Sequence, residues 1–146
     1  MHIFLDSSVL LAFCRSKSGA SALIIDYCRR KKLKGYISKK VVAEVRKNNI
    51  EDGNAVGIQR FGYILSKMFL TIVEDGRGEE LAKANSFFYN PKDAPVIVSA
   101  KQTPHIQYIL SLDHGFFKPE IKKYVKPIEI LKPKEFLERF RSELGE

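Results

Sequence analysis

The sequence predicts an α/β fold, in which one parallel sheet is covered by helices on both faces. Short runs of consecutive apolar residues, typical of strands buried on both faces, alternate along the chain with segments of helical periodicity. The 146 residues, of which 45% are hydrophobic, fit one globular domain spanning residues 1–146. Together these observations favour a three-layer α/β/α sandwich.

The first half of the chain begins with an apolar strand that ends at an aspartate. Residues 3–5 are the strand, and Asp6-Ser7-Ser8 has the composition of a helix start. Apolar residues at helical spacing then predict a helix over 18–30. The other elements predicted in this half are a strand at 35–37, a helix at 39–47 capped by Ser38, a helical element at 50–68 and a strand at 69–73.

The second half alternates in the same way. A helix at 79–89 precedes a turn at 90–93, and Pro95 favours a helix that begins at Asp93. The remaining predicted elements are a strand at 107–112 that leads into Asp113, a short strand at 125–131 broken by Pro127, and a terminal helix at 134–144 opened by Pro133.

The composition of the chain bears on where in the cell the protein acts. No uncharged apolar stretch approaches the roughly 18 residues that a bilayer crossing requires, and a leader composition is absent from the first residues, so we expect a cytoplasmic protein without membrane contact. Cys14 and Cys28 lack metal-ligand spacing and are interpreted as two buried thiols.

Positive charge is concentrated in the first third of the chain. Residues 1–50 contain 11 Lys and Arg against 3 Asp and Glu, within a net charge of +8. The basic run at 29–34 has two interpretations, a surface for a polyanion or a solvated helix end whose cations complement the helix dipole.

Four acidic residues fall at boundaries between predicted elements. Asp6 follows the first strand, Glu44 lies in the helix after the second, Asp93 begins a helix and Asp113 follows a later strand. Singly, each has an ordinary explanation: the first and third as helix caps, Glu44 as a solvated residue and Asp113 as a turn residue.

Capping does not explain why carboxylates recur at one edge of the sheet. Two carboxylates about 5 Å apart repel by roughly 3 kcal/mol at an effective dielectric near 20, and a bound divalent cation removes that penalty. Oxygen ligands without His or Cys select Mg²⁺ or Mn²⁺. The open edge of a parallel sheet is also where such folds bind ligands.

These positions resemble the acidic set of the PIN domain, a metal-dependent nuclease fold. The resemblance spans nearly the whole chain and is carried by four segments: FLDSSVLL at 4–11, VVAEV at 41–45, PKDAPVIVSA at 91–100 and ILSLDHGFF at 109–117. It implies a five-stranded sheet in the order 3-2-1-4-5, and it implies that Asp6, Glu44, Asp93 and Asp113 hold Mg²⁺ or Mn²⁺. It also implies that the hydroxyls of Ser7, Ser8 and Ser111 support these ligands. The chain departs from the family at Gly115, where many members have a further acid.

The resemblance implies the activity of an endoribonuclease, which is the hydrolysis of RNA phosphodiester bonds. Lys39, Lys40, Arg46 and His114 are candidates to contact the RNA. The helical phases of the first three differ, so some of them face away, and simple exposure is the alternative for His114. The small VapC-like toxins of toxin–antitoxin pairs are similar in length to this chain. The apolar residues of 58–68 and the aromatic run at 87–89 are therefore a candidate homodimer surface or antitoxin groove, with ordinary core packing as the alternative.

Other functions stay open at this stage. One alternative is a PIN-like nuclease that processes RNA and has no antitoxin. Another is a non-catalytic RNA-binding or assembly module, which the glycine at position 115 in place of an acid would allow. Phosphoryl transfer through an aspartyl phosphate on Asp6 is disfavoured, because the DSSV segment at 6–9 has no second aspartate two residues later.

Overall fold

A computed structural model describes residues 1–87 and 90–145 and contains one five-stranded sheet in the order β3-β2-β1-β4-β5. Every pair of neighbouring strands is parallel. The strands are β1 (His2–Leu5), β2 (Lys34–Ser38), β3 (Leu70–Val73), β4 (Tyr108–Leu110) and β5 (Glu129–Leu131). The predicted fold class and strand order are therefore confirmed.

Helices flank the sheet. The described residues form eight α-helices, α1 (Ser7–Arg15), α2 (Ala20–Arg29), α3 (Lys39–Glu51), α4 (Ala55–Ser66), α5 (Gly78–Phe87), α6 (Ala94–Gln102), α7 (Pro119–Val125) and α8 (Pro133–Arg139). A short 3-10 helix, His114–Phe117, follows β4. In the described ranges no single helix is long and apolar enough to cross a bilayer. Of the described helices, only α1 and α2 taken together, which are bent by 99° to each other, have the length and apolar composition of a membrane span.

The central strand β1 sets the register of the sheet. Ile3 lies opposite Gly35 of β2 and Tyr108 of β4. A Cβ atom at Gly35 would come within 2.6 Å of Leu70 Cδ2 and 2.9 Å of Cys28 Sγ, so only glycine lets α2 and β3 approach this closely. The apolar residues of β1 are fully buried, as the uninterrupted run predicts.

Several local predictions are confirmed. The Ser38 hydroxyl accepts a hydrogen bond from the Val41 backbone N–H over 3.2 Å and caps α3. Val41, Val42 and Val45 form its buried face. Cys14 and Cys28 are both buried and unpaired, and burial raises the pKa of the Cys28 thiol to about 12.

The helical element expected at 50–68 is wrong in its bounds. α3 continues to Glu51, a turn follows at 52–54, and α4 ends at Ser66. The turn forms because Gly53, at φ 64°, ends α3 and the Asn54 side chain then caps α4. Of the predicted apolar face, Phe61 and Ile64 are buried in the core, whereas Ile58 and Met68 are 42% and 84% exposed.

The C-terminal third also departs from expectation. The strand predicted at 125–131 is limited to 129–131, and Val125 instead ends α7, a helix absent from the prediction. Pro119 at its first position begins this helix, and Pro127 prevents an earlier start of β5 because it lacks a donor for the ladder. The terminal helix begins at Pro133 and ends at Arg139 rather than at 144. The strand at 107–112 is limited to 108–110.

The aromatic run at 87–89 lies mostly outside the described residues. The structure does not describe residues 88 and 89 or the side chain of residue 87.

Candidate metal centre

Asp6 lies where the central strand ends and α1 begins. Its backbone N–H donates to the Leu110 carbonyl of β4 over 3.0 Å, which holds it at the carboxyl edge of the sheet. The residue is only 5% exposed. Its Oδ2 accepts hydrogen bonds from the Ser8 hydroxyl at 2.7 Å and from the Ser111 hydroxyl at 2.9 Å. A buried carboxylate is thus held in one orientation by two hydroxyl donors.

Helix capping does not account for the two aspartates that begin helices. Asp6 and Asp93 occupy the N-cap positions of α1 and α6, yet neither side chain accepts a capping hydrogen bond. At α3 and α4, by contrast, the N-cap side chains of Ser38 and Asn54 accept the expected backbone N–H groups. The Asp93 carboxylate is therefore not used to cap α6, and the Asp6 carboxylate contacts α1 through the Ser7 backbone N–H rather than through a capping bond.

The two serines join the ends of β1 and β4. Besides donating to Asp6, Ser8 Oγ accepts the Leu112 backbone N–H over 2.9 Å, and Ser111 Oγ accepts the Asp113 backbone N–H over 3.0 Å. Ser111 is fully buried. Ser7 acts on the Asp6 carboxylate through its backbone N–H rather than its hydroxyl. Two of the three predicted supporting hydroxyls thus contact the first acid and fix the loop that carries the last.

Gly115 lies between two of the acids. Asp113 Oδ1 accepts the Gly115 backbone N–H over 2.9 Å and so caps the 3-10 helix, which matches the turn explanation for one of its oxygens. A Cβ atom at Gly115 would lie 3.3 Å from Asp113 Oδ1 and 3.3 Å from Asp93 Oδ2. The carboxylates of Asp93 and Asp113 therefore face the same small space. A cavity of about 340 Å³ opens there.

Electrostatic coupling joins all four predicted acids. The pKa of Asp93 is raised from 3.8 to about 7, first by burial and then by the negative charges of Asp113, Asp6 and Glu44, in that order of size. Burial also raises the pKa of Asp6, opposed by its hydrogen bonds to Ser8 and Ser111. Carboxylates that are distant in sequence thus repel one another at this edge of the sheet.

The chemistry of the four carboxylates suits a hard divalent cation. All four groups offer oxygen, and their mutual repulsion is what a cation of charge +2 relieves. Within 1–87 and 90–145, however, no group of three or more His, Cys, Asp or Glu side chains is close enough to hold an ion as it stands. The four acids interact electrostatically, but in this structure the described side chains do not form a coordination shell.

The predicted RNA-contacting residues differ in their partners and exposure. Lys39 Nζ pairs with Glu74 over 2.8 Å, and the Lys40 backbone N–H is bound by Asp75. Arg46 and His114 are exposed. Lys118, which the sequence analysis did not single out, lines the cavity with Asp93 and lowers its pKa. No spacing in the sequence would have indicated this lysine, because the 3-10 helix alone brings it to the acids.

Comparisons with known proteins show the fold alone. No family model matches the sequence, and no curated protein matches it either. The chain is similar to the crystal structure of PAE2754 from Pyrobaculum aerophilum, with a TM-score of 0.69 and 15% identity over 97% of this chain and 90% of that one. An identity this low supports a common architecture and carries no activity with it.

Proposed function

We propose that the protein is a metal-dependent endoribonuclease that hydrolyses RNA phosphodiester bonds with Mg²⁺ or Mn²⁺. The observation that carries the proposal is that the carboxylates of Asp93 and Asp113 face one small cavity, each with an oxygen 3.3 Å from the position of a Cβ atom at Gly115. The negative charges of Asp6 and Glu44 also act on Asp93, and the pKa of Asp93 is raised accordingly. An edge of a parallel sheet where four carboxylates repel one another is suited to a divalent cation. The PIN-domain resemblance stated above adds the reaction and the RNA substrate.

Asp6, Glu44, Asp93 and Asp113 would hold the cation in this proposal. Bound Mg²⁺ or Mn²⁺ supplies Lewis-acid chemistry at the scissile phosphate. Ser8 and Ser111 fix the orientation of the Asp6 carboxylate through hydrogen bonds of 2.7 and 2.9 Å. Lys118 places a positive charge beside the cavity, where a phosphate group is attracted. Arg46 and His114 are exposed, and in this proposal they contact the RNA strand beyond the cavity.

A partner protein extends the proposal. A groove of about 610 Å³ between α1, α2 and α4 is lined by Phe13, Tyr63 and Phe69. The Arg60 guanidinium lies 4.3 Å from the centre of the Phe13 ring at its rim. This apolar groove with a basic rim supports an antitoxin of a toxin–antitoxin pair as its occupant, with a second copy of the chain as the alternative. Such a pair would act in the cytoplasm.

Cleavage of an unstructured RNA tests the activity directly. We expect the parent protein to cleave with Mn²⁺ or Mg²⁺ and to be inactive in EDTA. The Asp6→Asn variant should be inactive while its metal-free fold is retained, because the amide oxygen still accepts both serine hydroxyls. Glu143→Gln, an exposed acid far along the chain, is the control and should cleave normally. Equal cleavage by the parent and Asp6→Asn contradicts the assignment.

A non-catalytic RNA-binding module is the second candidate. The observation that favours it is the absence of a ready coordination group among the described side chains. This module would bind RNA in EDTA and show no Mn²⁺-dependent cleavage at any concentration of the ion. Growth arrest on expression, relieved by a copurifying small protein, would instead support the toxin.

A further inference from the structure

The basic run at 29–34 divides into three groups in the structure. Arg29 and Arg30 both pair with Asp26, over 2.7 and 3.0 Å. The single carboxylate of Asp26 therefore compensates one of their two positive charges. Lys32 Nζ donates to the Leu144 carbonyl over 2.9 Å. Lys31 and Lys34 remain exposed, and they belong to no ion pair within the described ranges.

These two lysines line a pocket at the amino edge of the sheet, opposite the acids. The pocket has a volume of about 620 Å³, and Lys67, from the end of α4, contributes a third exposed ammonium group. Leu33 and Phe69 add apolar surface to its wall. Among the described side chains that line it, none is acidic. We refer to this site as the amino-edge pocket.

The positive field of the pocket extends to His2. Burial lowers the pKa of His2, and neighbouring positive charges, including that of Lys34, lower it further. The His2 ring stacks on Tyr36 with the ring centres 5.7 Å apart, and its Nδ1 is 2.8 Å from the Tyr36 hydroxyl. The amino-edge pocket thus concentrates cations without local counter-charge. The positively charged lysines repel one another unless a bound anion compensates their charge.

Backbone conformation at the rim gives a second, independent observation. α2 and α4 both end in a Schellman motif, in which Lys31 and Met68 adopt φ of 61° and 58°. The motif hydrogen bonds of α2 are Lys31 N–H to Cys28 O at 3.1 Å and Lys32 N–H to Tyr27 O at 2.9 Å. Glycine is the usual residue at this position, because a Cβ atom costs about 1 kcal/mol or more there.

α3 provides the comparison within the same chain. It ends in the same motif, and there the residue of positive φ is Gly53, at 64°. The chain therefore uses glycine where the helix end lies away from the pocket. It keeps a large side chain at both helix ends that line the pocket, Lys31 and Met68. Side chains retained against backbone strain indicate a role for those side chains.

We propose that the amino-edge pocket binds the phosphate backbone of an RNA strand through Lys31, Lys34 and Lys67, separately from the acidic site. The strand β1 has four residues, so the two sites lie roughly 13 Å apart along the sheet. Three lysine point charges on flexible stems suit phosphate oxygens without sequence readout, and Phe69 offers a ring to a base. The choice of RNA rests on the proposed function, whereas the preference for phosphate does not.

The test measures binding of a labelled, unstructured RNA oligonucleotide in EDTA across a salt series. The pocket variant combines Lys31→Gly, Lys34→Gln and Lys67→Gln. The control combines Lys83→Gln, Lys123→Gln and Lys134→Gln, which removes the same charge from exposed lysines outside the pocket. Loss of three phosphate contacts should lower the salt slope by about 2 and weaken binding roughly a hundredfold near 0.1 M salt, and the control should change far less.

Other outcomes overturn the inference. An equal loss in both triple variants would show a general charge effect, and undiminished binding by the pocket variant would show that RNA lies elsewhere. Binding of the parent to phosphatidylserine vesicles but not to RNA would also contradict it. Because EDTA excludes metal-dependent cleavage, a parent that binds through the pocket but never cleaves overturns the proposed function and leaves this inference intact.

Discussion

Ser111 Oγ donates a hydrogen bond to Asp6 Oδ2 over 2.9 Å, across 105 positions of sequence, and joins the ends of β4 and β1. The same oxygen of Ser111 accepts the Asp113 backbone N–H. One buried hydroxyl therefore orients the first acid of the candidate site and holds the loop of the last. The account of a cation site depends on this kind of fixed geometry.

Ser111→Ala tests that link. Removing the hydroxyl leaves the Asp6 carboxylate with one donor fewer and the Asp113 N–H without an acceptor, so we expect the free energy of unfolding to fall by about 1–2 kcal/mol. Mn²⁺ affinity should fall by roughly tenfold or more. Ser99→Ala is the matched control, because Ser99 is equally buried but donates to the Glu74 carbonyl away from the acids. The Ser99→Ala variant should lose stability with little change in Mn²⁺ affinity. Denaturant unfolding measures the stability of both variants, and calorimetry measures their Mn²⁺ affinity.

The pKa of Asp93 predicts a pH dependence of stability in the metal-free protein. Because this pKa is raised in the folded state, from 3.8 to about 7, the folded protein binds the proton more tightly than the unfolded chain. Stability from this group is present at acidic pH and is lost as the pH rises from about 4 through about 7. We expect a loss on the order of 2 kcal/mol after solvent screening of a half-buried group.

Asp93→Asn should remove most of that slope and leave the metal-free protein more stable than the parent above neutral pH. Urea denaturation at a series of pH values measures it. Glu143→Gln removes a comparable charge from an exposed turn and should leave the slope unchanged. A parent whose stability rises between pH 4 and 7 in this pH series, with Asp93→Asn behaving identically, would show that the pKa of Asp93 is not raised in the folded protein.

Gly115 offers a gain-of-function experiment. A side chain there points between Asp93 and Asp113, since a Cβ atom would lie 3.3 Å from an oxygen of each. Gly115→Asp adds a fifth carboxylate and should tighten Mn²⁺ binding by roughly tenfold. Gly115→Asn has the same size without the charge and should bind Mn²⁺ no better than the parent. Identical affinities for the two variants would place the cation away from this space.

The strained helix ends give a prediction about stability. Lys31→Gly and Met68→Gly should each raise the free energy of unfolding by about 1 kcal/mol, since glycine adopts positive φ without a Cβ clash. Gly53→Ala, at φ 64°, should lower it by a similar amount. Thermal unfolding of the three variants measures this. A destabilised Lys31→Gly would show that the Lys31 side chain contributes contacts that stabilise the fold.

The sequence was most informative where a pattern depends on local chemistry. The apolar run of β1, the Ser38 cap and the aspartates at strand ends follow from burial and from the hydrogen bonds that short polar side chains make. These features were enough for the fold class and for the candidate acids. The strand order came from resemblance to a family, because periodicity alone does not say which strands pair.

What the sequence did not indicate depends on packing between distant elements. α7 was missed because its seven residues are too few for a clear period, and Pro119 rather than an apolar stripe marks its start. The contact of Ser111 with Asp6 joins residues 105 positions apart, and the amino-edge pocket gathers lysines from three helix and strand ends. The composition likewise does not show that Arg29 pairs with Asp26.

Titration of Mn²⁺ into the metal-free protein tests most directly whether Asp6, Glu44, Asp93 and Asp113 form one cation site. The experiment is best done at about pH 8, where Asp93 is ionised. We predict saturable binding by the parent and by Glu143→Gln, and an affinity lower by about a hundredfold in Asp93→Asn. Binding of equal strength in the parent and Asp93→Asn, or no binding by the parent, would contradict the account.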